Sequence, residues 1–157
     1  MSLQVFEKIV GLLDEKKISY QLFEHKPVYA SEQAAKIRGT NIEQGAKALV
    51  MMADKKPILL VISGAKKVDT KKFKKSFGIK DLRMCTPEEV KKTTGVEVGA
   101  VPPLGNLMNL KTFVDRSLGE NKKITFNVGL HTRSIKMRYQ DFYFLVKPQI
   151  ADFAQRQ

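Results

Sequence analysis

Ala46-Lys47-Ala48-Leu49-Val50-Met51-Met52-Ala53, then Asp54-Lys55-Lys56, then Pro57-Ile58-Leu59-Leu60-Val61-Ile62-Ser63 is the stretch on which the fold turns. Two runs of apolar, β-branched or Met-rich residues flank a short polar turn, which is the pattern of a β-hairpin. The second arm is apolar at every position from Ile58 to Ile62. A strand with one wet face would alternate, so this arm reads as a central strand covered on two sides.

Working outward from the hairpin, Leu3 to Lys17 places Val5, Phe6, Ile9, Leu12 and Leu13 on one helical face, and Ile18 to Glu24 has the partial alternation of a strand. Ser31 to Gly39 reads as a short helix with Ser31 as N-cap and Gly39 as its stop. On the other side, Asp69 to Phe77 repeats lysine around Phe73 and Phe77, four apart on one face, and ends at Gly78. A short strand is expected around Leu82 to Cys85. Thr86-Pro87-Glu88-Glu89 then opens a helix with Thr as N-cap, Pro first and Glu third. Strands follow at Leu110 to Asp115, Lys123 to Val128 and Arg133 to Met137, with a final helix over Tyr139 to Val146. Mixed helices and strands with hairpins predict an α+β fold, and 157 residues without a linker or repeat predict one domain spanning 1–157.

Composition narrows the function. The chain has 28 Lys plus Arg against 16 Asp plus Glu, a formal charge of +12, which attracts polyanions over long range. Nucleic acid is the expected partner; a lysine-rich surface kept for solubility is the alternative. Lys66, Lys67, Lys71, Lys72, Lys74 and Lys75 put six lysines in ten positions, a skirt suited to phosphate contacts without sequence reading. No apolar run approaches the roughly 20 residues of a membrane span, and the start lacks a secretory pattern, so a cytoplasmic protein without a membrane partner is expected. A single cysteine, Cys85, and two histidines, His25 and His131, make a metal site improbable, and Cys85 reads as a small core residue. Phosphate-binding loops, dinucleotide fingerprints and zinc-protease motifs are absent from the sequence.

Three further features could carry chemistry. Lys47 sits among small and apolar neighbours, so it lies either on a solvent face or in a cleft where burial would make it lose its proton more easily. Val98-Gly99-Ala100-Val101-Pro102-Pro103-Leu104-Gly105 has two Gly and two Pro in eight residues, a fixed irregular loop able to present main-chain groups or simply a rigid turn. Gly129-Leu130-His131-Thr132-Arg133-Ser134 places a histidine at a strand bend, with no Ser-His-Asp partner in evident spacing.

Taken in order, Glu24-His25-Lys26-Pro27-Val28-Tyr29, Ala34-Ala35, Gly45-Ala46-Lys47-Ala48-Leu49, the Val98 to Gly105 loop and Phe126 to Ile135 resemble the YbaK/ProX-type aminoacyl-tRNA deacylases, relatives of the editing domain inserted in bacterial prolyl-tRNA synthetase. The resemblance runs from about Leu3 to Val146. It implies a mixed, barrel-like β-sheet surrounded by helices and hydrolysis of the ester joining a wrong amino acid to the terminal adenosine of tRNA, without metal or cofactor. By position it implies Lys47, Gly99 and Pro103 as catalytic residues. Substrate-binding residues would be Tyr29, Ala100, Val101, Gly129, His131 and Ser134, with the lysine skirt holding tRNA phosphates. The cysteine-specific branch carries a Gly-Gly-Lys-like run where this chain has Gly129-Leu130-His131, which argues against cysteine. Alanine on tRNA-Pro is the first expectation, with serine and threonine behind it. Prolyl-tRNA synthetase is the further expected partner, and the protein is expected to be a monomer or weak homodimer. The competing reading is a non-catalytic module of the same fold that binds tRNA or a synthetase.

Overall fold

The computed structural model describes residues 2–156. In chain order the elements are α1 (Ser2–Glu15), β1 (Tyr20–Glu24), α2 (Ser31–Arg38), β2 (Ala46–Ala53), β3 (Lys56–Ser63), α3 (Thr70–Phe77) and β4 (Leu82–Met84). After them come α4 (Pro87–Thr94), β5 (Thr112–Asp115), β6 (Lys123–Asn127), β7 (Arg133–Arg138), α5 (Tyr139–Val146) and β8 (Gln149–Ala151).

The hairpin forms as the sequence implies. β2 and β3 pair antiparallel from Ala46 opposite Ser63 to Ala53 opposite Lys56. Asp54 and Lys55 turn the chain at φ of 46° and 70°, the positive values that let a two-residue loop match the twist of its strands. Non-glycine residues resist that conformation. Here the Asp54 carboxylate accepts hydrogen bonds from the Lys80 and Asp81 amides at 3.1 and 2.8 Å, which ties the turn to the following loop.

β3 is the middle strand of a five-stranded sheet ordered β4-β2-β3-β5-β8, with β5 and β8 running parallel to their neighbours. Its two faces enter different cores, which explains the unbroken apolar run. Leu59 and Val61 join a larger cluster with Ile9 and Leu13 of α1, Val90 of α4 and Phe126 of β6. Ile58, Leu60 and Ile62 join a second cluster with Phe73 of α3, Phe113 and Phe153. In that cluster the Phe73 ring meets Phe113 and Phe153 edge-on at 5.0 and 5.3 Å, geometries that aromatic quadrupoles favour.

The second sheet, β1-β7-β6, is antiparallel and covers the larger core from the other side. It touches the first sheet through one isolated bridge, Gly45 to Thr125. The barrel-like sheet implied by the family resemblance is therefore two facing sheets that meet at this corner and are not closed into a barrel, within the expected α+β class.

Other expectations are sharpened. α3 carries Asp69 as N-cap, accepting from the Lys72 amide at 3.1 Å, and stops at Gly78; α4 has the Thr86–Glu89 capping box. α2 differs. Its N-cap is Ala30 without a side-chain bond, and Ser31 is already helical. Burial of Ala34 and Ala35 anchors this helix in place of a hydroxyl cap. The strand expected from Leu110 starts at Thr112, and β8 with the single-turn helices at Ile42–Gln44, Gly105–Leu107 and Arg116–Glu120 was not foreseen. Asp115, 1% exposed, holds the chain's last described turn by accepting from the Phe153 and Ala154 amides at 2.8 and 3.1 Å.

Candidate active site

β4 pairs only with Met51 to Ala53, so the edge of β2 before that point has no strand beside it. Along this edge, from Gly45 to Val50, runs a cleft of about 220 Å³. It is also lined by Val28 to Ala30 ahead of α2, Ser31 and Arg38 at the two ends of α2, the Val98 to Val101 loop and Asn127 at the end of β6. Among the described residues no Asp or Glu lines it.

Lys47 lies in this cleft, half-buried. Loss of water around its ammonium pushes the pKa below the ordinary lysine value, and the nearby charge of Lys67 pushes in the same direction. Lys67 is twenty residues away in sequence, but Lys47 pairs with Ile62 across the hairpin and β3 delivers the chain to the same end. The first lysines of the basic segment are thus brought toward the cleft. Lys71, Lys72, Lys74 and Lys75 ride on α3, whose Phe73 is packed into the second core. Lys72 is drawn aside by an ion pair of 3.0 Å to Asp152.

Gly99, which has φ of +86°, lines the same cleft as Lys47. A side chain there would be strained by the backbone and would also place its Cβ 3.2 Å from His131 Cε1. His131 is held behind it: Nδ1 donates to the Val28 carbonyl at 3.1 Å, Nε2 lies 3.4 Å from the Glu97 carboxylate, and the ring stacks on Tyr29 with centroids 4.4 Å apart. Tyr29 itself lines the cleft and is 69% exposed.

Under the loop lies a polar network that the sequence reading did not find. The Arg38 guanidinium donates from Nε to Ser134 Oγ at 2.9 Å, from Nη1 to Thr125 Oγ1 at 3.0 Å and from Nη2 to Asn127 Oδ1 at 3.0 Å. Asn127 in turn donates from Nδ2 to the Gly99 carbonyl at 2.8 Å. His25 donates from Nδ1 to the Lys26 carbonyl at 2.8 Å, and its Nε2 lies 2.8 Å from the Ser134 hydroxyl, which also reaches Asn127 Oδ1 at 3.3 Å. Burial lowers the Arg38 pKa to about 10, and its hydrogen-bond partners Ser134, Thr125 and Asn127 are all neutral oxygens.

Among the residues singled out from the sequence, Lys47, Gly99, Val101 and Tyr29 line one cleft. Ala100, Pro103, Gly129 and Ser134 are buried behind that surface. Ala100 accepts the Gly129 amide at 2.9 Å and donates to the Glu97 carbonyl at 3.0 Å, so these two residues hold the loop in place. Arg38 and Asn127 line the cleft without having been singled out. Asn127 lies inside the quoted Phe126 to Ile135 segment, whereas Arg38 reads in sequence only as a basic residue in the last turn of a helix. Cys85 is buried in the larger core and its thiol pKa is raised, first by burial and then by Glu89. Among the described residues no three His, Cys, Asp or Glu gather as a metal site, and no helix is long and apolar enough to cross a membrane.

Chemically, the cleft offers two cations, an oriented main-chain carbonyl and an exposed aromatic ring. That combination suits an anionic or ester-bearing ligand with a flat base, in a setting where fixed groups face charge as it develops.

Comparison with known proteins agrees with this geometry. A family model described as the aminoacyl-tRNA editing domain matches residues 25–145. The chain is 27% identical over 152 residues to the multifunctional Ser/Thr-tRNA deacylase ProXp-y of Escherichia coli (strain K12), covering 94% of this chain and 91% of that protein. It is 26% identical over 153 residues to the prolyl-tRNA editing protein ProX of Acetoanaerobium sticklandii, covering 94% and 93%. A crystal structure described as a candidate trans-editing enzyme for prolyl tRNA synthetase superposes with a TM-score of 0.85 at 25% identity, over 97% of this chain and 98% of that one.

Proposed function

Because the chain belongs to the aminoacyl-tRNA editing domain family and is an aminoacyl-tRNA deacylase, we propose that it acts in trans on tRNA-Pro carrying a small, wrongly attached residue. The observation that carries this reading is the convergence of Lys47, Gly99 and Tyr29 on one cleft without a lining carboxylate.

Hydrolysis adds water across the ester. The water oxygen bonds to the carbonyl carbon, the bond to the ribose oxygen breaks, that oxygen takes a proton, and the amino acid leaves as its carboxylate. An aminoacyl ester is already activated, so positioning and charge stabilisation suffice without a nucleophilic triad. In this reading Lys47 faces the negative charge of the terminal adenosine's phosphate and of the developing oxyanion. The Gly99 carbonyl orients the attacking water, and Tyr29 offers its ring to the base. His131 acts by backing Gly99 and Tyr29, and Ala100, Pro103, Gly129 and Ser134 by fixing the wall. Lys66 and Lys67, followed by the α3 lysines, receive the tRNA phosphates.

Excluding larger side chains is within reach of a small pocket, whereas one methylene is worth only about 1 to 3 kcal/mol. The cargo proposed is therefore alanine, serine or threonine: alanine from the sequence departures around His131, serine and threonine from the E. coli relative's being named a Ser/Thr-tRNA deacylase. The protein would work in the cytoplasm beside prolyl-tRNA synthetase, as a monomer or weak homodimer. A deacylation panel on Ala-, Ser-, Thr- and Cys-charged tRNA-Pro tests this. Release of one or more of the first three with cysteine spared is expected; binding of tRNA with no release of any would replace the enzyme by a binding module.

A further inference from the structure

A cation buried among neutral acceptors is costly, because nothing of opposite charge offsets the water it has lost. Arg38 is in that position. Its guanidinium hydrogen bonds go to Ser134, Thr125 and Asn127, and among the described residues it has no ion pair. The planar fork of a guanidinium spans three acceptors at fixed angles, which an ammonium cannot do. What the fork fixes most directly is Asn127. With Oδ1 taken by Arg38, the amide of Asn127 has one orientation, and Nδ2 is aimed at the Gly99 carbonyl at 2.8 Å.

A carbonyl oxygen has two lone pairs. Asn127 occupies one of those on Gly99, from the side of β6, and Gly99 at φ of +86° lines the cleft. We infer that Arg38 and Asn127 are positioning residues: the chain Arg38 to Asn127 to Gly99 sets the direction of the Gly99 carbonyl so that its second lone pair addresses the water or ester in the cleft. Neither residue acts on substrate in this step. The inference rests on the proposed hydrolysis at this cleft and adds the device that holds its main-chain acceptor still.

Asn127→Asp is the sharpest variant. The new carboxylate still accepts from Arg38, now as an ion pair, so the wall is kept. Toward Gly99, however, an acceptor replaces the donor, and two oxygens repel. Arg38→Lys is the second variant, keeping the positive charge while losing the fork. Single-turnover deacylation of the released cargo is measured for each, together with the amide nitrogen shift of Ala100, which reports hydrogen bonding at the preceding Gly99 carbonyl.

Both variants are expected to shift the Ala100 amide and to lower kcat about 10- to 100-fold, the scale of a misplacement near 1 Å. KM should stay within about two-fold, and the melting temperature of Asn127→Asp should not fall. An active wild-type protein whose Asn127→Asp variant retains full kcat, or loses only KM, overturns the positioning role and leaves the proposed function standing. A wild-type protein inactive on every charged tRNA removes the function. In that case an unmoved Ala100 amide in both variants also overturns the structural link.

Discussion

Replacing Gly99 with alanine puts the whole loop to the test, because the cost can be worked from two independent features. The first is the backbone. Gly99 sits at φ of +86°, and a side chain held there costs of order 1 to 3 kcal/mol. The second is space. The new Cβ would stand 3.2 Å from His131 Cε1, close enough that the ring must give by a few tenths of an ångström. That ring has little freedom, being bonded to Val28, 3.4 Å from the Glu97 carboxylate and in tilted contact with the Tyr29 ring. If the loop holds its shape, the variant loses roughly 1 to 3 kcal/mol of stability, which for about 150 residues lowers the melting temperature by about 2 to 12 °C. If instead the loop relaxes to negative φ, the Gly99 carbonyl turns away from Asn127 and stability is largely recovered at the expense of catalysis. Thermal unfolding and single-turnover deacylation, run on the same sample, separate the two responses. A variant that melts within about 1 °C of wild type and keeps its rate within two-fold would refute the argument.

Three other outcomes follow from the same geometry. Because burial and Lys67 lower the Lys47 pKa, its charge is lost as pH rises through a value below the ordinary 10.5. The alkaline limb of the deacylation profile should begin below that value, after correction for spontaneous ester hydrolysis. Stability moves the other way: the unfolded chain binds the extra proton in that window, so Lys47's unfavourable contribution fades as pH rises toward 10.5. Changing Lys71, Lys72, Lys74 and Lys75 to Gln should weaken tRNA binding and flatten its dependence on salt, while sparing turnover at saturation. With Lys72 already paired to Asp152, the log–log salt slope should fall by about 2 to 3 units, a little under one per freed lysine, as read by filter binding between 50 and 200 mM salt. Phe73→Ala should destabilise by about 3 to 5 kcal/mol in urea unfolding, since the ring is fully buried against Phe77, Phe113 and Phe153.

Local physics made much of this fold readable. Ile58 to Ile62 could be placed at the centre of a sheet because only a strand covered twice avoids alternation, and Thr86 to Glu89 could be read as a helix start because its capping bonds are between near neighbours. Features that depend on distant pairing were not readable. β8 is three residues long and exists because β5 offers it an edge, and the division into two sheets depends on where β6 meets Gly45. At the site, Lys47 and the Gly99 loop stand out because lysine among apolar residues and glycine beside proline are locally unusual. Arg38 does not, since a basic residue in the last turn of a helix is ordinary. Only folding brings it to Thr125, Asn127 and Ser134, about ninety residues on, and removes its water. Sequence distance also hides where the lysine-rich segment begins, since Lys67 is twenty residues from Lys47. The hairpin register returns Lys67 toward Lys47, so the start of the lysine-rich segment lies close enough for its charge to act on the cleft.

The central claim is that Lys47 and the Gly99 loop hydrolyse an aminoacyl ester in this cleft. Single-turnover release of labelled amino acid from Ala-, Ser- and Thr-charged tRNA-Pro by wild type and by Lys47→Ala tests it most directly. Wild type should release the amino acid and the variant should lose about 100-fold or more in rate, on the scale of removing one charge-stabilising group, with melting temperature and circular dichroism unchanged. Equal release by the two proteins would contradict it.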